Sequence, residues 1–132
     1  MKGSLNIGDS KIFEKIVSKS DLAVFNEKQV HPVCSTFALA RDIEWSSRLF
    51  VLDVIEEDEE GIGTLLTISH QSPAFVNDLV IIESVIRSFE KNELICSYVA
   101  KVEGRVIAKG QTGQKVLKKK KIEQLFSKFK NG

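Results

Sequence analysis

Apolar and small residues recur through residues 36–54 at Leu39, Ala40, Ile43, Ser47, Phe50, Val51 and Val54. This i, i+3, i+4 spacing predicts one long helix with a single buried stripe. Arg41, Asp42, Arg48 and Asp53 fall mostly away from that stripe. Ser35 or Thr36 can cap the helix start, because a side-chain oxygen there accepts an orphan backbone N–H. The acidic run at 56–60 and Gly61 end the helix, since acids oppose the macrodipole at a C-terminus. From Gly61 the period changes to two. Residues 62–70 place Ile62, Thr64, Leu66, Ile68 and His70 on one face and Gly63, Leu65, Thr67 and Ser69 on the other. Residues 79–90, 94–102 and 105–117 read as further strands, with turns at Lys91-Asn92 and Glu103-Gly104. A short strand over 11–17 would turn Ile12, Glu14 and Ile16 one way and Phe13, Lys15 and Val17 the other. Residues 119–129 return to a helical period, with Ile122, Leu125, Phe126 and Phe129 opposite lysines.

One helix cannot bury its stripe alone. Closely spaced strands with short turns form an antiparallel meander, and a curved sheet wrapped around the helix covers the stripe. The expected class is therefore α+β, a long central helix in a curved antiparallel sheet. Residues 1–132 form a single domain on this reading, with a core over about 11–117 and a basic helix or tail at 118–132. Residues 79–86 are apolar on both faces, which points to a partner subunit.

The 132 residues are 42% apolar and 28% charged, the balance of a globular chain and too apolar for a disordered one. The formal net charge of +1 hides two blocks. Residues 56–60 are five consecutive acids, and residues 118–130 hold six lysines against Glu123 alone. A global charge argument for nucleic acid fails. The lysines at 118–121 read first as a solvated helix start, then as a contact for phosphates, and last as a nucleic-acid patch. The longest apolar runs, Leu49 to Leu52 and Leu79 to Ile82, are far short of the ~20 residues of a membrane span. No signal-peptide pattern opens the chain. Cys34 and Cys96 sit among apolar residues and read as reduced, packed thiols of a cytoplasmic protein.

Three residues stand out as chemical candidates. His70 ends a strand beside Ser72-Pro73, and a histidine there either exchanges protons or simply hydrogen-bonds the strand end. Glu44 lies on the flank of the buried stripe, as a partly buried carboxylate or as the partner of Arg41 or Arg48. Thr36 lies at the helix start, as a cap or as a hydroxyl beside amides able to hold an oxyanion. Within one helix Thr36 and Glu44 would stand ~12 Å apart along the axis, so a shared site needs Thr36 at or before the helix start, or a bridging substrate. His31 and Cys34 lack the second pair that zinc requires, and no metal site is expected.

The order of elements resembles the hotdog fold. The stretch from Val33 to about Val116 is similar to the fluoroacetyl-CoA thioesterase-like family of hotdog proteins. The resemblance rests on Ser35-Thr36-Phe37 before the long helix, Ile43-Glu44-Trp45 within it, Gly63-Thr64 opening the next strand, and Ser69-His70 at its end. Three positions depart from the family pattern. Phe37 stands where proline is common, Ser46 where alanine is common, and Gly110-Gln111-Thr112-Gly113-Gln114 replaces a His-x-Arg element.

The resemblance implies an acyl-CoA thioesterase acting on a small or medium acyl group at a homodimer interface. Thr36, Glu44 and His70 would be catalytic, and Gly63 and Thr64 would bind substrate. Gly63, lacking a Cβ, would allow close backbone approach to the acyl group. No cofactor is expected beyond the coenzyme A thioester as substrate, and neither a membrane nor a nucleic-acid partner. The alternative is a non-catalytic acyl-CoA binding or sensing protein on the same scaffold. A dehydratase would need an Asp-x-x-x-x-x-His arrangement that the chain lacks.

Overall fold

The computed structural model describes residues 1–25 and 28–131. The long helix, α1, runs Thr36–Val54. Ser35 Oγ accepts the Ala38 amide at 3.0 Å, so Ser35 is the cap and Thr36 is the first helical residue. Leu39, Ile43, Phe50, Val51 and Val54 of the expected stripe are buried. Asp42 corrects the reading: it is buried as well, because Arg41 lies 3.2 Å from its carboxylate and satisfies it there.

Strand β1 (Ser10–Ile16) precedes the helix, with the alternation expected for it. Two further strands before the helix, β2 (Leu22–Phe25) and β3 (Lys28–Cys34), pair antiparallel as a separate two-stranded sheet. The sequence reading omitted them. β2 has four residues, β3 carries Pro32, and most of their side chains are exposed, so the two-residue hydrophobic period is weak.

After the helix come β4 (Glu59–Leu66), β5 (Ser69–His70), β6 (Leu79–Glu90), β7 (Glu93–Val102) and β8 (Arg105–Lys118). The helix α2 follows at Lys119–Asn131. The single strand read over 62–70 is corrected to two strands. β4 starts within the acidic run, its register shifts between Gly63 and Leu65, and it ends at Leu66. Thr64 is the extra residue of that bulge, which breaks the strict alternation.

The main sheet runs β1-β6-β7-β8-β4, and β5 also pairs with β8. The meander holds for β6 to β8. Lys91 and Asn92 (φ 51 and 64) and Glu103 and Gly104 (φ 48 and 79) make the left-handed turns that match strand twist. β4 departs from simple succession, lying against β8 at the far side of the sheet from β1. β8 spans 14 residues, long enough to hold β4 and β5 along one flank and β7 along the other.

The sheet curls around α1 and buries it in two apolar clusters. One, near the helix start, gathers Leu39 and Ile43 with Ile82, Tyr98 and Ile107. The other, near its end, gathers Phe50 and Val51 with Ile86, Leu94 and Val116. Full burial of each large aliphatic contributes ~1.5–3 kcal/mol. Between the clusters lies a buried polar pair of contacts: Ser46 Oγ lies 2.9 Å from Ser84 Oγ, and Gln114 Nε2 donates to Ser47 Oγ at 3.1 Å. Sliding the helix would orphan these groups, so they fix its register against the sheet. Cys34 and Cys96 are buried free thiols. On the outer face Ile12, Ile16, Leu79 and Ile81 stay exposed, as the two-faced apolarity of β6 suggested.

Candidate active site

The helix start is tied by its backbone to the turn before β2 and to the loop before β6. Cys34 N–H donates to Ala74 O at 2.8 Å and Ser35 N–H donates to Asp21 O at 2.7 Å. On the sheet side, β5 pairs with Lys109 and Ala108 of β8, and Gln71 N–H donates to Ile107 O at 2.7 Å. These two anchored segments bring Thr36 Oγ1 to 2.9 Å from His70 Nδ1. Because Ser35 caps the helix, the Thr36 hydroxyl is free for that contact. The bond occupies Nδ1 and leaves Nε2 as the ring nitrogen available to exchange a proton.

Thr67 holds the break between β4 and β5 in place. Its carbonyl accepts the Tyr98 hydroxyl at 2.7 Å, and its own hydroxyl accepts the Gln111 amide at 2.9 Å. Gly110 makes room for this, since a Cβ there would fall on the Thr67 carbonyl.

Glu44 lies two turns beyond Thr36, ~12 Å along the axis. Its Oε1 would stand 2.7 Å from a Cβ on Gly63, so the missing side chain leaves the space that the carboxylate occupies. Gly63 also borders a cleft, and its missing side chain seats Glu44. The expectation that Glu44 is partly buried is also corrected, because the residue is exposed in the single chain. Neither expected arginine neutralises it. Arg41 pairs with Asp21 at 3.0 Å and with Asp42, and Arg48 pairs with Glu60 at 2.6 Å. Burial alone would raise the Asp21 carboxyl, but the Ser18 amide and the Arg41 guanidinium outweigh it and hold it below its usual value.

A cleft of ≈420 Å³ opens at Glu44 and Gly63, bordered by Phe37, Arg41, Trp45 and Arg48. Thr64 is not on its wall; the Thr64 hydroxyl instead stands over Gly113. The structure thus assembles the candidates in two pieces, Thr36 with His70 and Glu44 with Gly63. Phe37, Arg41, Trp45 and Arg48 were not picked out from the sequence as site residues. Their signal was there, because with Glu44 they recur at three- and four-residue spacing on the helix face opposite the buried stripe. Gln114, in the region that departs from the family pattern, pairs with Gly63 across β4 and β8 and also borders the cleft.

Burial pushes the Cys34 thiol, next to the helix cap, up to about 11, with the Asp21 and Asp42 charges adding to the effect. Among the described residues no group of His, Cys, Asp and Glu side chains is arranged to hold a metal ion.

A central helix gripped by a curled antiparallel sheet is the architecture of the hotdog fold. The sequence pattern of the fluoroacetyl-CoA-specific thioesterases (FlK) matches residues 17–120, and the chain belongs to that family of thioester hydrolases. A Thermus thermophilus hypothetical protein of the thioesterase superfamily is 31% identical, with a TM-score of 0.89 over 97% of this chain and 95% of its own. The fluoroacetyl-CoA thioesterase FlK shares the fold at 17% identity and a TM-score of 0.86, over 96% of this chain and 98% of its own. A Streptococcus pneumoniae hypothetical thioesterase with coenzyme A does so at 14% identity and a TM-score of 0.70, over 87% and 83%. No curated protein matches the chain.

Proposed function

We propose that the chain hydrolyses a small or medium acyl-CoA thioester to the free acid and coenzyme A, at a site that two copies of the chain complete. The observation that carries the reading is the 2.9 Å contact between Thr36 Oγ1 and His70 Nδ1 beside the first turn of α1. That turn also offers unpaired helix amides for a developing oxyanion. Water or the Glu44 carboxylate adds to the thioester carbonyl, the carbon–sulfur bond breaks, and His70 Nε2 hands a proton to the departing thiolate. Glu44 supplies the carboxylate, as a base that deprotonates water or as a nucleophile that forms an anhydride then opened by water.

The two-copy site is supported by the edge of the sheet. β4 ends the strand order, and Gly63, Thr64, Leu65 and Leu66 are exposed along it beside Phe37 and Trp45. A second copy pairing along β4 would cover that edge and bring further groups to the gap between His70 and Glu44. No described helix is long and apolar enough to cross a membrane.

The test is free-thiol release from acetyl-, butyryl- and hexanoyl-CoA, with His70→Ala and Glu44→Ala. Turnover that both substitutions abolish, in folded protein, supports the reading. Saturable binding without turnover moves the chain to an acyl-CoA binding protein. Single turnover in ¹⁸O-water separates the two roles of Glu44, because only the nucleophilic route leaves label in its carboxylate.

A further inference from the structure

The last helix, α2, has no buried residue, although it is amphipathic. At 100° per residue, Ile122, Leu125, Phe126 and Phe129 fall within an arc of ~100°. Lys121 and Lys128 border one side of that arc, and Lys119 and Lys130 border the other. Lys120, Gln124 and Ser127 lie opposite it. Phe126 is 58% exposed and Phe129 81%. The start of the helix is fastened to the body, where the Lys119 amide donates to Asp58 O at 2.7 Å and Lys118 Nζ lies 2.9 Å from the Asp58 carboxylate, and Ile122 and Leu125 are half-buried.

Exposed aromatics cost solvation unless something covers them, and the lysine rims constrain what can do so. The chain's own acidic run is largely engaged. Asp58 pairs with Lys118, Glu59 with the Met1 ammonium and Glu60 with Arg48. A surface carrying dense negative charge above an apolar layer matches both features at once. Aromatic rings then enter the apolar boundary while lysine stems lie along it and their ammonium groups reach the charged layer.

We propose that α2 lies flat on an anionic lipid surface, with Phe126 and Phe129 inserted at the acyl boundary and Lys119, Lys121, Lys128 and Lys130 at the headgroups. This contact does not span the bilayer, so it is compatible with the lack of any spanning helix. It is also independent of the thioesterase reading.

Co-sedimentation tests it, using the full chain with vesicles of phosphatidylcholine alone and of phosphatidylcholine mixed with phosphatidylserine. The expected result is binding to the mixed vesicles that added salt weakens, and little binding to the neutral ones. Phe126→Ser with Phe129→Ser should lower partitioning at least about tenfold, and Lys121→Gln with Lys128→Gln should lower it while preserving the apolar face. The far-UV circular dichroism of each variant in the absence of vesicles serves as the control for folding and should match that of the parent. Failure of the unchanged chain to bind mixed vesicles overturns the proposal, as does binding that ignores the phenylalanines. A double variant that alters the oligomeric mass in light scattering, with no vesicle binding by the parent, assigns the face to a second copy and overturns it too.

Discussion

Thr36 Oγ1 and His70 Nδ1 stand 2.9 Å apart although 34 residues separate them in the chain. The contact joins the first turn of α1 to the end of a two-residue strand, and each side is pinned by backbone hydrogen bonds. If it orients the imidazole for proton transfer, His70→Ala should lower kcat by roughly 10²–10⁴-fold. Thr36→Ala should cost less, and Thr36→Ser should restore most of the loss by returning the hydroxyl. The measurement is thiol release at saturating substrate. A Thr36→Ala enzyme with unchanged kcat would remove the orienting role.

Substitution of Gly63 should separate activity from stability. Gly63→Ala places a methyl 2.7 Å from Glu44 Oε1, the far end of a flexible side chain on an exposed surface. The carboxylate should swing aside, lowering kcat at least about tenfold while stability changes by less than ~1 kcal/mol. Gly110→Ala is the contrasting case, because its methyl meets the backbone carbonyl of Thr67. It should destabilise the fold by ~1–3 kcal/mol in urea titration.

Asp21 should make stability sensitive to acid. Its folded carboxyl titrates below its ordinary value of 3.8, so the ionised form is favoured by folding. The contribution is fully present above that value and is lost as pH falls through the lower, folded one. Asp21→Asn should remove this part of the acid dependence and weaken the anchor of Arg41 and of the Ser18 turn, at ~1–3 kcal/mol. Denaturation midpoints compared between pH 7 and pH 3 would check it.

The two thiols should resist reagents in the folded chain, since burial pushes Cys34 and Cys96 each up to about 11 from 9.0. Folding favours the protonated thiols, so their contribution is full below 9.0 and is lost as pH rises toward 11. A colorimetric disulfide reagent at pH 7.5 should label them only on unfolding, and Cys34→Ala should retain turnover. Rapid labelling of native protein would contradict this.

The edge strand β4 should control assembly. Leu66→Lys adds a charge to an exposed edge position without disturbing the core. On the two-copy reading it should shift the mass in light scattering from dimer to monomer and reduce turnover in proportion. A dimer that survives with full activity would place the contact elsewhere.

Much of the fold was legible because periodicity is a local property. The bounds of α1, the hairpins at Lys91-Asn92 and Glu103-Gly104 and the terminal helix follow from spacing and turn chemistry alone. The β2–β3 hairpin was not legible, since its short exposed strands bury too little to leave a period. Nor was the bulge at Thr64, which depends on fitting β4 to Gly113 of β8.

The sequence by itself determined a helix with one buried stripe, a set of antiparallel strands and three candidate residues, Thr36, Glu44 and His70. Tertiary structure decided how they meet. It gave the cap to Ser35 and so released Thr36 to His70, and it took Arg41 and Arg48 away to other carboxylates, leaving Glu44 against Gly63. Hydrogen-bond and charge partners are chosen by distances across strands and helices far apart in the chain, and no local pattern encodes those distances.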